Sequence, residues 1–282
     1  MVRSAGKKIW HLVEKFGLLH SSQHGYRRRR GTDTLTMQLI DVLEQVRESA
    51  STLALASWDT IRAFDSISRM LAMLGLLRMG VPVADCEDII NIDEGGSVFV
   101  KCPHNTKIWP KRISRCPNGR SYTSLDVSEA PPFTAQRGIG QGNNHSPLTY
   151  NCTEDIVLTA LDDLELEPSG TSPLYSRAAE NNLRAVEDPC YADDHLSLCG
   201  CLADLQTKAD LMSAMAMIFK LKFNMKKLRL FLLESKVFSN ITPDPILVIR
   251  ENHWDNQIHC SLSTTGEFKS VGVIHSLRWT SS

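Results

Sequence analysis

The chain has 282 residues, 42% apolar and 22% charged, enough for one large domain or two modest ones with a proper core. A formal net charge of −1 does not announce a polyanion-binding protein, and no apolar run approaches the ~18–20 residues that a membrane span requires. Met1 to Lys8 carries three basic side chains with no apolar stretch of signal-peptide type behind it, so the expected location is intracellular.

Taken in chain order, residues 6–19 place Ile9, Leu12, Val13 and Phe16 on one helical face. Residues 33–48 do the same with Leu35, Leu39, Val42, Leu43 and Val46, and Thr32 or Asp33 is the expected cap. The loop between them holds Gln23-His24-Gly25-Tyr26 and the run Arg27 to Arg30. Thr52 to Trp58 is short and apolar, a buried strand. Residues 66–79 spell a helix rich in Leu and Met, closed by Gly80 and Val81-Pro82. Residues 85–135 are mixed, with a strand expected from Ser97 to Lys101 and a loop from Pro117 to Pro132.

After a Gly-rich loop, residues 146–164 read as a helix, with Ser146 as cap and Pro147 at the first position. Residues 166–186 are polar and read as an inserted surface loop. Two strands then flank Ala192-Asp193, and a helix follows with Leu205, Ala209, Met212, Met215 and Phe219 at helical spacing. Short strands fill the chain to about residue 274. There is no regular βαβ order and no internal repeat, so the fold class is α+β.

Eight scattered cysteines show no CxxC pair, and a chain of this size needs no disulfides, so reduced thiols are expected. Cys199 and Cys201 form a CxC that invites a metal, but their apolar neighbours fit a strand end better. Charge is unevenly distributed. Residues 1–32 hold eight Lys or Arg against one Glu, and residues 159–215 hold eleven acids against three basic residues. A basic lobe beside an acidic one suits an enzyme that grips phosphates with one part and divalent metals with the other.

Three acids stand out by context. Asp59 ends the apolar run Leu53 to Trp58, and Asp193-Asp194 sit between Tyr191-Ala192 and His195-Leu196-Ser197-Leu198. Adjacent carboxylates inside a β pattern repel, and aspartate is a poor strand former. They are tolerable at a turn, and divalent cations would neutralise them. A solvated turn is the plain alternative for Asp193-Asp194, as it is for the separate pair Asp162-Asp163.

Six blocks in order resemble reverse transcriptases. Asp59-Thr60-Ile61-Arg62-Ala63-Phe64-Asp65 is similar to their DxxxAFD block, and Arg137 through Gln141-Gly142 to Ser146-Pro147 to their GxxQGxxxSP block. Tyr191-Ala192-Asp193-Asp194 matches their YADD. Phe223-Asn224-Met225-Lys226-Lys227 resembles their NxxK block, and Phe268 to Gly272 a diverged primer grip. Upstream, Gln23 to Arg27 through Gly31-Thr32 resembles their QxGFRxxxxT fingers segment. Together the blocks span about residues 20–274, and they are closest in flavour to non-LTR retrotransposon enzymes.

That resemblance implies a palm of antiparallel sheet with packed helices plus partial fingers, with the first fingers strands and the thumb largely absent. Its divisions would be partial fingers at 1–50, a first palm part at 51–80, a fingers or insert region at 81–135, and a second palm part at 136–282. No endonuclease, integrase or RNase H pattern is present. The implied activity is RNA-directed DNA polymerisation, with RNA template, DNA primer and dNTPs as partners, no membrane, and a nuclear location. The implied cofactor is a pair of Mg²⁺ ions, or Mn²⁺, held by Asp59, Asp193 and Asp194.

Phe64 would reject a ribose 2′-OH by bulk, though a core phenylalanine needs no such role. Gln141 and Gly142 would let backbone approach nucleotide and template, and Tyr191 would line the same site. Lys227 would face the triphosphate and donate a proton to departing pyrophosphate, with Lys226 in competition. Arg27 and Arg30 would hold phosphates with their guanidinium forks, although an arginine run also reads as a localisation signal. Arg62 where the family prefers Lys, Asn143-Asn144-His145, Leu148-Thr149-Tyr150-Asn151 and Pro189-Cys190 depart from the usual pattern. Two alternatives stay open: a catalytically silent palm that binds nucleic acid or serves as a scaffold, and an RNA-dependent RNA polymerase, which Phe64 disfavours.

Overall fold

The apolar run after residue 52 becomes the central strand of the main sheet. The computed structural model describes residues 2–49, 52–94, 97–98, 133–134, 137–140, 144–164, 175–176, 184–185, 188–233, 246–250, 256–261, 266–270 and 273–277. Helices α1 (Val2–Lys15) and α2 (Thr32–Ser49) precede strand β1 (Leu53–Trp58). Then come α3 (Ala63–Ser66), α4 (Arg69–Arg78), α5 (Val83–Glu94), β2 (Ser97–Val98), β3 (Phe133–Thr134) and α6 (Ser146–Asp162). Strands β4 (Tyr175–Ser176), β5 (Arg184–Ala185), β6 (Cys190–Tyr191) and β7 (Asp194–Cys199) lead to α7 (Leu202–Phe219). The last elements are β8 (Arg229–Leu233), β9 (Ile246–Arg250), β10 (Gln257–Ser261), β11 (Gly266–Ser270) and β12 (Val273–Leu277). This is the expected α+β class.

The sheet has the order β6-β7-β1-β8, every pair antiparallel. β1 is apolar except for Ser57 because both of its faces are covered, and the period-2 alternation of a strand decides which residue goes where. Leu53 and Leu55 join Leu196, Leu198 and Phe231 under Leu35, Leu39, Val42 and Val46 of α2. Ala54, Ala56 and Trp58 face the other way, into a cluster with Leu205, Ala209 and Met212 of α7 and Leu230 and Leu232 of β8. The small alanines let α7 approach. Leu247 and Ile249 of β9 complete this cluster on the far side of α7.

α6 is buried along most of its length, including Thr149, Asn151, Thr153, Glu154 and Asp155. Such residues are tolerated inside when hydrogen-bonded. Thr149 and Thr153 donate to carbonyls one turn back, and Asp155 accepts from the His20 backbone N–H at 2.6 Å and from Arg78. Among the described residues no helix is long and apolar enough to cross a membrane.

The helix expected over 66–79 is broken. Ile67 and Ser68 are extended (ψ 135° and 131°), and the Ile67 carbonyl accepts the Gly138 N–H at 2.9 Å. Tertiary pairing overrides local propensity there. α5 was not expected; it starts after Pro82 and buries Cys86, Ile89 and Ile90. Ser146 does not cap α6: its hydroxyl donates to the Gly140 carbonyl at 2.8 Å, and His145 holds the cap position. β2 covers Ser97 and Val98 of the strand expected there, whose remaining residues lie outside the described ones, and within 166–186 the described residues form the pair β4–β5. Residues 99–132 lie outside the described residues. Cys86, Cys152, Cys190, Cys199, Cys201 and Cys260 form no disulfide among the described residues. Cys199 ends β7, whereas Cys201 caps α7 by accepting the Asp204 N–H at 3.5 Å.

A buried ion pair ties α7 to the start of the β6–β7 hairpin. Lys208 Nζ lies 2.8 and 2.7 Å from the two Asp188 oxygens and 3.2 Å from the Leu198 carbonyl, and Asp188 also accepts the Leu198 N–H at 2.8 Å. Removing one partner strands a buried charge, so Lys208→Met is expected to cost roughly 3–5 kcal/mol. The double variant Lys208→Met/Asp188→Asn should recover part of that in chemical denaturation. Equal losses in both proteins would show that the pair is not what is felt.

Candidate active site

β1 ends at Trp58, and Asp59 follows at the rim of the sheet. Trp58 pairs with His195 across β7, so the register sets Asp59 beside Asp194, with Asp193 one residue back in the turn between β6 and β7. On the other flank, the Asp59 carbonyl accepts the Asn224 N–H and the Ile61 N–H donates to Lys222, both at 2.8 Å. The rings of Phe223 and Trp58 lie 4.9 Å apart. The turn from Asn224, closed by Lys227 N–H to the Asn224 carbonyl at 2.8 Å, brings Lys227 Nζ to 2.8 Å from Asp59 Oδ1.

The tight turn carrying the tandem acids needs Ala192 in the left-handed region, at φ 56°. Such strain persists only where surroundings hold it. Gln23 does so: its Oε1 accepts the N–H groups of Ala192 (2.9 Å) and Gly25 (2.7 Å), and its Nε2 lies 3.4 Å from the Ala192 carbonyl. The backbone adds His24 N–H to Cys190 O at 2.7 Å and Cys190 N–H to Ser22 O at 3.0 Å. Gly25 fits because a Cβ there would come within 2.4 Å of the Ala192 nitrogen. Asn151 of α6 donates to the Gly25 carbonyl at 2.8 Å, backing the loop from below.

Charge is concentrated here. Burial, reinforced by Asp194, Asp59 and Glu154, pushes the Asp193 carboxyl up from 3.8 to about 6 against the pull of its own backbone hydrogen bond. Its hydrogen bond to Asp59, then the charges of Asp59, Asp194 and Asp193, raise the Lys227 ammonium above its ordinary value. Three carboxylates with hard oxygens and an excess of negative charge fit Mg²⁺ or Mn²⁺, and the Lys227 ammonium on Asp59 occupies a position such a cation could take. The aspartate oxygens are not all within 4.8 Å of one another; among the described residues the trio that meets that spacing is Glu154, Cys190 and His195.

Phe64 of α3 stacks on Tyr150 of α6, centroids 4.6 Å apart, and meets the edge of Tyr26 at 6.3 Å. Tyr26 also lies 6.4 Å from Tyr191. The first part of the Gly-rich block docks on α3: Gly138, at φ 91°, leaves no room for a Cβ beside the Asp65 backbone, and Ile139 N–H donates to the Phe64 carbonyl at 3.0 Å. Gln141 and Gly142 lie outside the described residues. So do Val271 and Gly272, while Phe268 to Ser270 sit in β11, paired with β12.

Arg27 requires a correction. Its side chain is 6% exposed, and it binds Glu14 (3.1 Å) and the carbonyls of His20 (2.7 Å), Gln23 and Leu19. It is a clamp inside the loop rather than a hand for phosphate. Arg30 binds the Ser21 carbonyl nearer the surface. Gln23 and Tyr26 were legible only as letters of a block, and nothing local marked Glu154 in mid-helix.

No protein-family model matches the sequence. The Pol polyprotein of the type-1 retrotransposable element R2 of Popillia japonica is 27% identical over 143 residues, which cover 51% of this chain and 17% of that relative. About half of this chain is thus similar to part of a retroelement Pol polyprotein, and the matched stretch spans about a sixth of that relative's length. Among solved structures, apo telomerase from Candida tropicalis, truncated from its C-terminal domain, gives a TM-score of 0.48 at 11% identity, over 82% of this chain and 40% of that one. Telomerase from Candida albicans in complex with a TWJ fragment of telomeric RNA gives 0.46 at 11% identity, over 86% and 36%.

Two outcomes follow for the acidic turn and its brace. The folded state binds the Asp193 proton more tightly than the unfolded chain, a contribution present below about pH 4 and lost as pH rises through about 6. In metal-free buffer Asp193→Asn should therefore stabilise the fold by about 1–3 kcal/mol at pH 7 and add little at pH 4. A gain independent of pH would contradict this. Gly25→Ala should destabilise by roughly 1–3 kcal/mol in denaturant titration, because the added methyl meets the backbone of the turn. An unchanged midpoint would mean that the loop does not brace it.

Proposed function

We propose that this chain is the polymerase part of an RNA-directed DNA polymerase of retroelement type, extending a DNA primer on an RNA template with dNTPs. In this reading residues 51–80 and 136–282 form the palm, and residues 1–50 and 81–135 belong to partial fingers and an insert. The observation that carries it is the meeting of Asp59 with Asp193 and Asp194 at one rim of the sheet, with Lys227 beside them. The similarity to a retroelement Pol polyprotein supports the same reading.

Asp59 and Asp193 would hold two Mg²⁺ ions, with Asp194 assisting. When bound, such ions activate the primer 3′-OH and stabilise the leaving oxygen of an in-line phosphoryl transfer. Lys227 exchanges Asp59 for the triphosphate, where its ammonium can give a proton to departing pyrophosphate. Phe64, braced by Tyr150, excludes the 2′-OH of a ribonucleotide. Tyr191 and Tyr26 wall the nucleotide site, and Arg30 supplies charge for phosphate.

The test is primer extension on an RNA template with dNTPs and Mg²⁺ or Mn²⁺. Asp59→Ala and Asp193→Ala are each expected to reduce the rate by at least ~10²-fold. Phe64→Val should raise NTP use relative to dNTP. The Lys227–Asp59 ion pair favours a second reading, a silent palm that binds nucleic acid. RNA binding without extension, unchanged in Asp193→Ala and in chelator, would decide for it and against polymerisation.

A further inference from the structure

Behind the turn, on the sheet face toward α6, lies a second group of metal-binding side chains. Cys190 and His195 are direct partners across the β6–β7 hairpin, so both side chains leave the sheet on one face. Glu154 reaches them from α6. Their ligand atoms all lie within 4.8 Å of one another, and all three residues are buried. His195 is 2% exposed, and among the described residues neither of its ring nitrogens has a hydrogen-bond partner.

The polar neighbours hold the trio as an outer shell holds metal ligands. Tyr150 donates to Glu154 Oε2 at 3.4 Å, leaving Oε1 to face His195 Nδ1 at 3.8 Å. Gln23 Nε2 lies 3.5 Å from the Cys190 sulfur, and the Cys190 thiol donates to the Ala192 carbonyl at 3.1 Å. We infer that Glu154, Cys190 and His195 bind one divalent ion of the zinc class, which staples the catalytic hairpin to α6.

A plain ion pair explains the arrangement less well. At 3.8 Å from the carboxylate an imidazolium makes no hydrogen bond, so both of its buried N–H groups would go unsatisfied. A metal engages one of those nitrogens directly. Charge also closes: one carboxylate and one thiolate cancel a divalent ion, a neutral assembly suited to a buried site. Binding releases the thiol proton to solvent, and burial otherwise keeps that thiol protonated.

Zinc–ligand bonds of about 2.0–2.3 Å in a tetrahedron put ligand atoms roughly 3.3–3.8 Å apart. The Glu154–His195 separation of 3.8 Å is at the top of that range, and the sulfur, within 4.8 Å of both partners, needs to move by no more than about 1 Å. The Ala192 carbonyl offers an oxygen for the fourth position. Thiolate and imidazole select a borderline-soft ion, whereas the three aspartates select hard Mg²⁺. The two sites do not share a ligand, and this inference does not rest on the polymerase reading.

The test uses the full chain, stripped with chelator, loaded with Zn²⁺ or Co²⁺, and dialysed. Elemental analysis should find one equivalent per chain, and the cobalt form should show a thiolate-to-metal charge-transfer band. Cys190→Ser and His195→Ala should lose the ion, Tyr150→Phe should weaken it roughly 10–100-fold, and Cys260→Ser and Asp59→Asn should keep it. Zinc should also raise the melting temperature of the wild type but not of Cys190→Ser. If the variants do not fold, the wild-type cobalt spectrum decides alone. No retained ion, no thiolate band, or full retention in folded Cys190→Ser would each overturn the inference.

Discussion

A shift of one residue between β1 and β7 would exchange the two faces of the sheet and part the acids at its rim. The observed register prevents this from both sides. Leu53 and Leu55 must reach the face under α2, and Ala54, Ala56 and Trp58 must reach the face under α7. Trp58 adds a polar lock, since its indole N–H donates to Ser197 at 3.0 Å. Hydrophobic burial therefore sets Asp59 beside Asp194, and the site inherits its geometry from the core.

The cost of the arrangement is electrostatic. Carboxylates at one rim repel, burial of Asp193 adds to the strain, and Ala192 sits in a backbone region that alanine avoids. The molecule answers with close bracing. Gln23 accepts two N–H groups at the turn, Gly25 lies against it without a side chain, and Asn151 fixes the loop to α6. Active sites are where such strain is expected to gather.

Much of this was legible in the sequence. The apolar run to Trp58 and the tandem acids between two β patterns each announce a local form, whereas Asn224 to Lys227 was legible only as a block of the family resemblance. The break at Ile67-Ser68 was not legible, because it depends on Gly138, some seventy residues away. Arg27 misled for the opposite reason: an arginine run looks exposed, and only the fold reveals that Glu14 and three carbonyls surround one member. The proximity of Glu154 to Cys190 and His195 has no local signal. The Cys–His pair across the hairpin could have been found by asking which residues bracket the turn at equal distance.

The bracing around the turn joins points far apart in the chain: Ala192 to Gln23 across 169 residues, Lys227 to Asp59 across 168, and Asn151 to Gly25 across 126. Chains dominated by distant pairings close large loops before those contacts reward them, and they fold slowly. The hairpin bearing the tandem acids can form early from neighbouring residues, but its support arrives only with the opening segment. The brace of the acidic turn therefore closes loops of more than a hundred residues, and during synthesis Gln23 leaves the ribosome long before the strands that it supports.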